Sequence, residues 1–268
     1  KKKKHKKKKE SKKSKQKQSE EEIPPPPPTP QMSRYKLLGE NDDIRIDFET
    51  RCIPRQEKKI TVSVIFSNLS SNFIKNIEFN VLDTLNTRLI RDEKSSQHDA
   101  LSVPFSLPPS ARNECQLDFS ATSVTMPQRL KGTVTYMLQD ETRQHTNQEK
   151  LDFKLHLPCS SYLIPSPLSS HHFTKLLSSG DLGDKATLQL NKPDITLEVF
   201  LQRLCFYLKF SVVEQIGESA SLYSASIQQH HVCLLVKTVN AGISVDGKSD
   251  NSSLLSNIMD EVKTVAQP

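Results

Sequence analysis

Residues 60–67 read Ile-Thr-Val-Ser-Val-Ile-Phe-Ser: Ile60, Val62, Val64 and Phe66 alternate with Thr61, Ser63 and Ser67, and only Ile65 breaks the polar face. Successive side chains on a strand point to opposite faces, so a period of two marks a strand that buries one side. The same period returns at Ile77, Phe79 and Val81, at Leu117 and Phe119, at Val134 and Tyr136, and at Leu151, Phe153 and Leu155. Turn-forming clusters separate these runs, among them Asn68-Leu69-Ser70-Ser71-Asn72, Pro108-Pro109-Ser110 and Gln144-His145-Thr146-Asn147. About seven or eight short strands over 44–157, with no helical period, predict an antiparallel, immunoglobulin-like sandwich of two sheets.

After Pro158 the pattern changes. Residues 169–178 suit a helix stopped by Gly180, and 186–190 alternate as a strand. Leu197, Phe200, Leu201 and Leu204 recur at helical spacing within 195–206, with Asp194 or Thr196 available as the cap. Strands are expected over 209–216, 220–227, 230–239 and 243–247, with a turn at Asn240-Ala241-Gly242. A last amphipathic helix over 253–265 carries Leu254, Leu255, Ile258 and Val262. This predicts a smaller α+β platform, its strands flanked by helices on one side.

The basic balance is uneven. Residues 1–22 hold 12 Lys and 4 Glu, whereas the rest holds 25 basic and 27 acidic residues. The run that includes Lys1, Lys4, Lys6, Lys9, Lys12 and Lys13, followed by Pro24–Pro28 and Pro30, predicts a disordered basic hinge with a polyproline end. The expected order is hinge over 1–34, sandwich over 35–158 and platform over 159–268. A first residue of Lys1 reads as the C-terminal piece of a longer protein. The lysine run suits weak attraction to an anionic membrane, about 1 kcal/mol per basic residue near the surface. It contains neither Arg nor an aromatic residue, so specific nucleic-acid binding is not expected; a basic-tailed nucleic-acid-binding protein is the alternative reading. Ser19 and Thr29 have the surroundings of phosphorylation sites.

Enzyme signals each meet a structural explanation. Gly242-Ile-Ser-Val-Asp-Gly247-Lys248-Ser249 matches the phosphate-loop pattern, but its alternating centre predicts a strand and not a loop of amides around phosphate. Adjacent His230 and His231 on a strand face opposite ways and cannot easily share a metal. His171 and His172 form the second histidine doublet. The cysteines Cys52, Cys115, Cys159, Cys205 and Cys233 are odd in number and widely spaced, as buried thiols of a reducing compartment are. Cys233 lies in an apolar run, with no family signature of a nucleophile around it. With no Gly-x-Ser-x-Gly elbow and seven glycines in all, no enzymatic activity, cofactor or small-molecule substrate is expected. Phe206, Tyr207, Phe210 and Tyr223 cluster in the platform, and each could be core. Tyr207 and Tyr223, with Lys209 beside the first, are the candidate partner-binding residues, because Tyr is enriched at binding hot spots.

Several strings in order carry a resemblance: LKGTVTYM (130–137), EKLDFKLHL (149–157), CSSYLI (159–164), KLLSSGDL (175–182), FSVVE (210–214), HHVCLLVK (230–237), SVDGK (244–248) and LLSN (254–257). Over 35–268 they resemble the delta subunits (delta-adaptins) of adaptor protein complex three, and the KKKKHKKKK opening resembles that family's hinge. The resemblance implies the ear of a heterotetrameric coat adaptor, cytoplasmic and peripheral on Golgi and endosomal membranes. It implies sorting of cargo toward lysosomes and related organelles, with the other adaptor subunits and accessory or tethering proteins as partners. Ears of better-known adaptors carry a Trp-centred peptide pocket; this chain has no Trp, so that pocket does not carry over.

Overall fold

The first part has nine strands: β1 (Lys36–Glu40), β2 (Ile44–Arg51), β3 (Lys59–Asn68), β4 (Phe73–Val81), β5 (Thr87–Leu89), β6 (Leu101–Ser102), β7 (Arg112–Ala121), β8 (Gln128–Gln139) and β9 (Thr146–Leu157). The period-two runs fall in β3, β4, β7, β8 and β9, whereas β1 precedes the stretch that carried the pattern and the short β5 and β6 have no such run. The computed structural model describes residues 32–267 apart from 93, 97, 141, 143, 144, 192, 193 and 241. The expected hinge therefore lies, up to residue 31, outside the described residues, and with it Lys1, Lys4, Lys6, Lys9, Lys12 and Lys13.

One sheet runs β1-β2-β3-β7-β5 and the other β6-β4-β8-β9, all antiparallel. The orders β2-β3-β7-β5 and β4-β8-β9 are those of the two sheets of an immunoglobulin constant-type sandwich. Ile60, Val62, Val64 and Phe66 are fully buried against Phe79, Leu130 and Val134 of the facing sheet. Gly132 is required where it stands, because a Cβ there would come within 2.2 Å of the Phe153 ring. That ring in turn stacks on Phe79 with centroids 5.0 Å apart.

The chain leaves β9 through a 3-10 turn, Cys159–Tyr162, and builds β10 (Leu163–Pro165), α1 (Ser170–Ser178), β11 (Asp184–Leu190), α2 (Leu197–Leu208), β12 (Ser211–Ile216), β13 (Ser219–Ser226), β14 (His231–Val239), β15 (Gly242–Ser249) and α3 (Ser252–Val265). Their sheet has the order β10-β13-β14-β15-β11, with β12 also along β13. Thr196, not Asp194, caps α2 by accepting from the Val199 amide. Asn251 caps α3 through the Leu254 amide. Phe200, Leu204, Leu254, Ile258 and Val262 from α2 and α3 pack on Leu222, Val232, Leu234, Val236 and Val245. A Cβ at Gly247 would sit 2.9 Å from Leu255 Cδ1, so the glycine lets α3 lie close to the sheet.

The expectation of helices on one side only is corrected. Phe173 of α1 joins Leu182, Tyr223 and Cys233 in a separate cluster, with Leu176 and Leu177 packed against it. Tyr223 and Cys233 alternate with the residues that meet α2 and α3, so α1 covers the opposite face. Tyr162 of the 3-10 turn and Ile227 of the β13–β14 turn are buried in the sandwich core, and Ser33–Pro268 forms one compact unit.

Candidate interaction surface

The outer face of the platform sheet, the face that α1 covers, is only half covered. Registers align Tyr223, Cys233, Lys248 and Lys185 in one cross-strand row. Ser221, Leu235, Asp246 and Thr187 form the next, and Ser219, Lys237, Ser244 and Gln189 the third. The α1 cluster takes in the first row at Tyr223 and Cys233. Beyond it Leu235 remains 40% exposed and Ile216 70%. Together with Glu214, Ser221, Lys237 and Asp246 they line a depression of about 210 Å³.

Polar contacts hold the rim. Thr187 Oγ1 donates to Asp246 Oδ1 at 2.8 Å, and Gln189 Nε2 donates to Ser244 Oγ at 2.7 Å. Lys237 Nζ lies 3.7 Å from Asp246 Oδ2. An apolar floor inside a polar frame is the anatomy of a small binding patch, dry at its centre and wet at its edge.

The covered half is a hydrogen-bonded support. Tyr223 Oη and His231 Nδ1 lie 2.7 Å apart, the His231 amide donates to Asp250 Oδ1 at 2.6 Å, and His230 Nδ1 lies 2.8 Å from Asp250 Oδ2. Burial would raise the Asp250 carboxyl, but hydrogen bonds from His230 and the His231 amide outweigh it and hold the group below its ordinary range. Burial pushes Tyr223 up to about 12. It does the same to Cys233, leaving a protonated thiol with no nucleophilic character at neutral pH. The rings of the two neighbouring histidines thus serve different partners, and among the described residues no group of three His, Cys, Asp or Glu is placed to hold a metal.

The phosphate-loop match is β15 itself, paired with β14 on one side and β11 on the other. Its amides belong to a sheet ladder and cannot converge on a phosphate.

The three candidate partner-binding residues do not all come together: Tyr207 and Lys209 line one small cleft, and Tyr223 lies apart from them. Tyr223 is 6% exposed beneath α1, and Lys209 is 8% exposed with its Nζ donating to the Ser161 carbonyl at 2.9 Å. Both side chains are buried, and for Tyr223 that is the alternative of a core residue. Tyr207 is half-buried, edge-to-face with Phe206 at 5.0 Å. Leu235 and Ile216 escaped the sequence reading, although Leu235 carries a signal: in the run Val232–Lys237 it is the large aliphatic residue on the strand face opposite Leu234. A larger depression, about 780 Å³, lies on the sandwich, lined by Leu38, Val81, Leu82, Lys131, Phe153 and Lys154.

The chain is 45% identical over 234 residues, 87% of its length, to the AP-3 complex subunit delta-1 of Bos taurus. The chain is homologous to the AP-3 delta subunits. It spans 19% of the bovine AP-3 delta subunit's length. The AP-3 delta subunit of Dictyostelium discoideum is 32% identical over 46% of the chain and 10% of that protein. The AP-4 complex subunit epsilon-1 of Mus musculus is 26% identical over 48% and 11%. A family model described as AP3 Mu C-terminal domain matches residues 160–267. Among solved structures, the GAE domain of yeast GGA1 aligns at 21% identity, covering 45% of this chain and 97% of that one, with a TM-score of 0.33. The GAE domain of Saccharomyces cerevisiae GGA2p aligns at 19%, covering 45% and 96%, with a TM-score of 0.32. No helix among the described residues is long and apolar enough to cross a membrane.

Proposed function

We propose that the chain is the hinge and ear of a vesicle-coat adaptor, a binding module without catalytic activity. In this reading 1–34 is the hinge and 35–158 and 159–268 are the two parts of the ear. It recruits accessory or tethering proteins while the adaptor, cytoplasmic and peripheral on Golgi and endosomal membranes, sorts cargo toward lysosomes. The lysine run adds weak attraction to anionic lipid. Weak sites then gain avidity when many adaptors cluster on one membrane. The homology to AP-3 delta subunits supports the adaptor reading.

The half-open outer face of the platform sheet is the observation that carries the binding reading. We take its occupant to be a short extended peptide that sets one apolar side chain on Leu235 and Ile216. The depression admits a side chain or two and no folded domain. Affinity capture from cytosol, with the full chain against a Leu235→Asp/Ile216→Asp variant shown to be folded, tests it. Loss of the captured partners is expected; retention of all of them would defeat the reading. A second reading places the peptide in the larger sandwich depression, favoured by its size and by Leu82, which is 62% exposed. A Leu82→Asp variant that loses the partners would select it.

A further inference from the structure

Where the sandwich meets the platform, a small cleft of about 40 Å³ is lined by Arg34 and Lys36, by Ser160 and Ser161 of the 3-10 turn, and by Tyr207 and Lys209 at the end of α2. Lys209 closes that helix in the left-handed conformation, φ 61°, with its side chain buried. Its ammonium donates to the Ser161 carbonyl and enters none of the ion pairs found among the described residues. An ammonium carries three donors, so two are unspent.

The neighbours are positive as well. Arg34 Nε donates to the Phe206 carbonyl at 2.9 Å and its guanidinium lies 4.6 Å from the Phe206 ring centroid, with no partner for its terminal nitrogens among the described residues. Lys36 is exposed and likewise enters no described ion pair. The acidic groups that reach toward Lys209 are already engaged. Glu49 accepts from Arg51 Nε at 2.7 Å, and Glu261 accepts from the Ser160 amide at 3.1 Å. Burial lowers the Lys209 pKa, and the opposing pull of Cys52, Glu49 and Glu261 offsets it only in part. Such a charge is costly in the interior unless something compensates it. By volume the cleft holds about three waters, or one carboxylate or phosphate head group.

We propose that this cleft captures the oxyanion of an acidic or phosphorylated peptide side chain, held by Lys209, Arg34 and Lys36 and flanked by the Tyr207 ring. The cleft stands whether or not the outer sheet face binds a partner, because its readout is the anion.

The test is the melting temperature of the full chain titrated with inorganic phosphate, and separately with acetate, at ionic strength matched with chloride. A saturable rise with phosphate or acetate beyond chloride is expected, and the stronger of the two identifies the favoured oxyanion. Arg34→Ala/Lys36→Ala, two exposed changes, should weaken the response by about tenfold, since each charge-assisted contact is strong. Lys209→Met should abolish the response while leaving the unliganded protein about as stable as before, because the hydrogen bond lost to the Ser161 carbonyl is offset by the buried charge removed. No rise beyond chloride, or an undiminished rise in the Arg34→Ala/Lys36→Ala variant, would overturn the proposal. Phosphatidylserine vesicles should bind that variant as well as the parent chain. Loss of vesicle binding in it would reassign the cleft to lipid.

Discussion

On β14, Val232, Leu234 and Val236 face α2 and α3 and are buried, whereas Cys233, Leu235 and Lys237 face the other way and meet α1 only through Cys233. Both sets alternate along one strand, and Leu234 and Leu235 are chemically identical neighbours. Cover alone distinguishes them. Under two helices a leucine is stability; beyond the edge of α1 it is surface available to a partner.

The largest expected effect lies on the covered face. Leu234→Ala leaves a cavity under α2 and α3 and should cost about 3 kcal/mol, read by denaturant unfolding, whereas Leu235→Ala should stay within about 0.5 kcal/mol. Equal costs would erase the distinction between the faces.

At the boundary between cover and opening, Tyr223→Phe removes the hydroxyl that meets His231. About 1 kcal/mol should be lost in the same unfolding assay, with capture intact, since the residue is internal.

Asp250→Asn sharpens the comparison through pH. The folded carboxyl lies below its ordinary value, so its contribution is present above about pH 4 and is lost as pH falls through the depressed folded value. The variant should therefore be less stable than the parent at pH 7, and the gap should close in acid. A gap that widens in acid would contradict the network.

The smallest effect belongs to Lys248→Ala on the outer face. It should change stability by no more than about 0.5 kcal/mol, and ATP or GTP should not raise the melting temperature of either protein.

Much of this was legible in the residues. Ile60 to Phe66 announced one buried side and the structure buries it fully, but Thr61 and Ser63 on the other side are buried as well. Thr196 or Asp194 was the open choice for the α2 cap, and geometry picked the hydroxyl. What sequence could not show was which face a helix lands on. The period of α1 revealed an apolar side in Phe173, Leu176 and Leu177, but not that Tyr223 and Cys233 lie beneath it. Tyr223 is buried by that distant helix, and Lys209 by a left-handed turn that brings it to Ser161, 48 residues earlier. Both are long-range facts that local pattern does not encode. Leu235 was visible as an apolar residue out of phase, yet its exposure depends on where α1 ends.

Hydrogen exchange on the full chain, with and without the strongest partner recovered by capture, tests the central claim most directly. If that partner sits on the open half of the outer face, protection should appear in β12, at the start of β13 and around Leu235–Lys237, and not along Asn80–Leu82, Lys131–Thr133 and Asp152–Lys154 of the sandwich depression. Protection confined to those three sandwich segments would contradict the account.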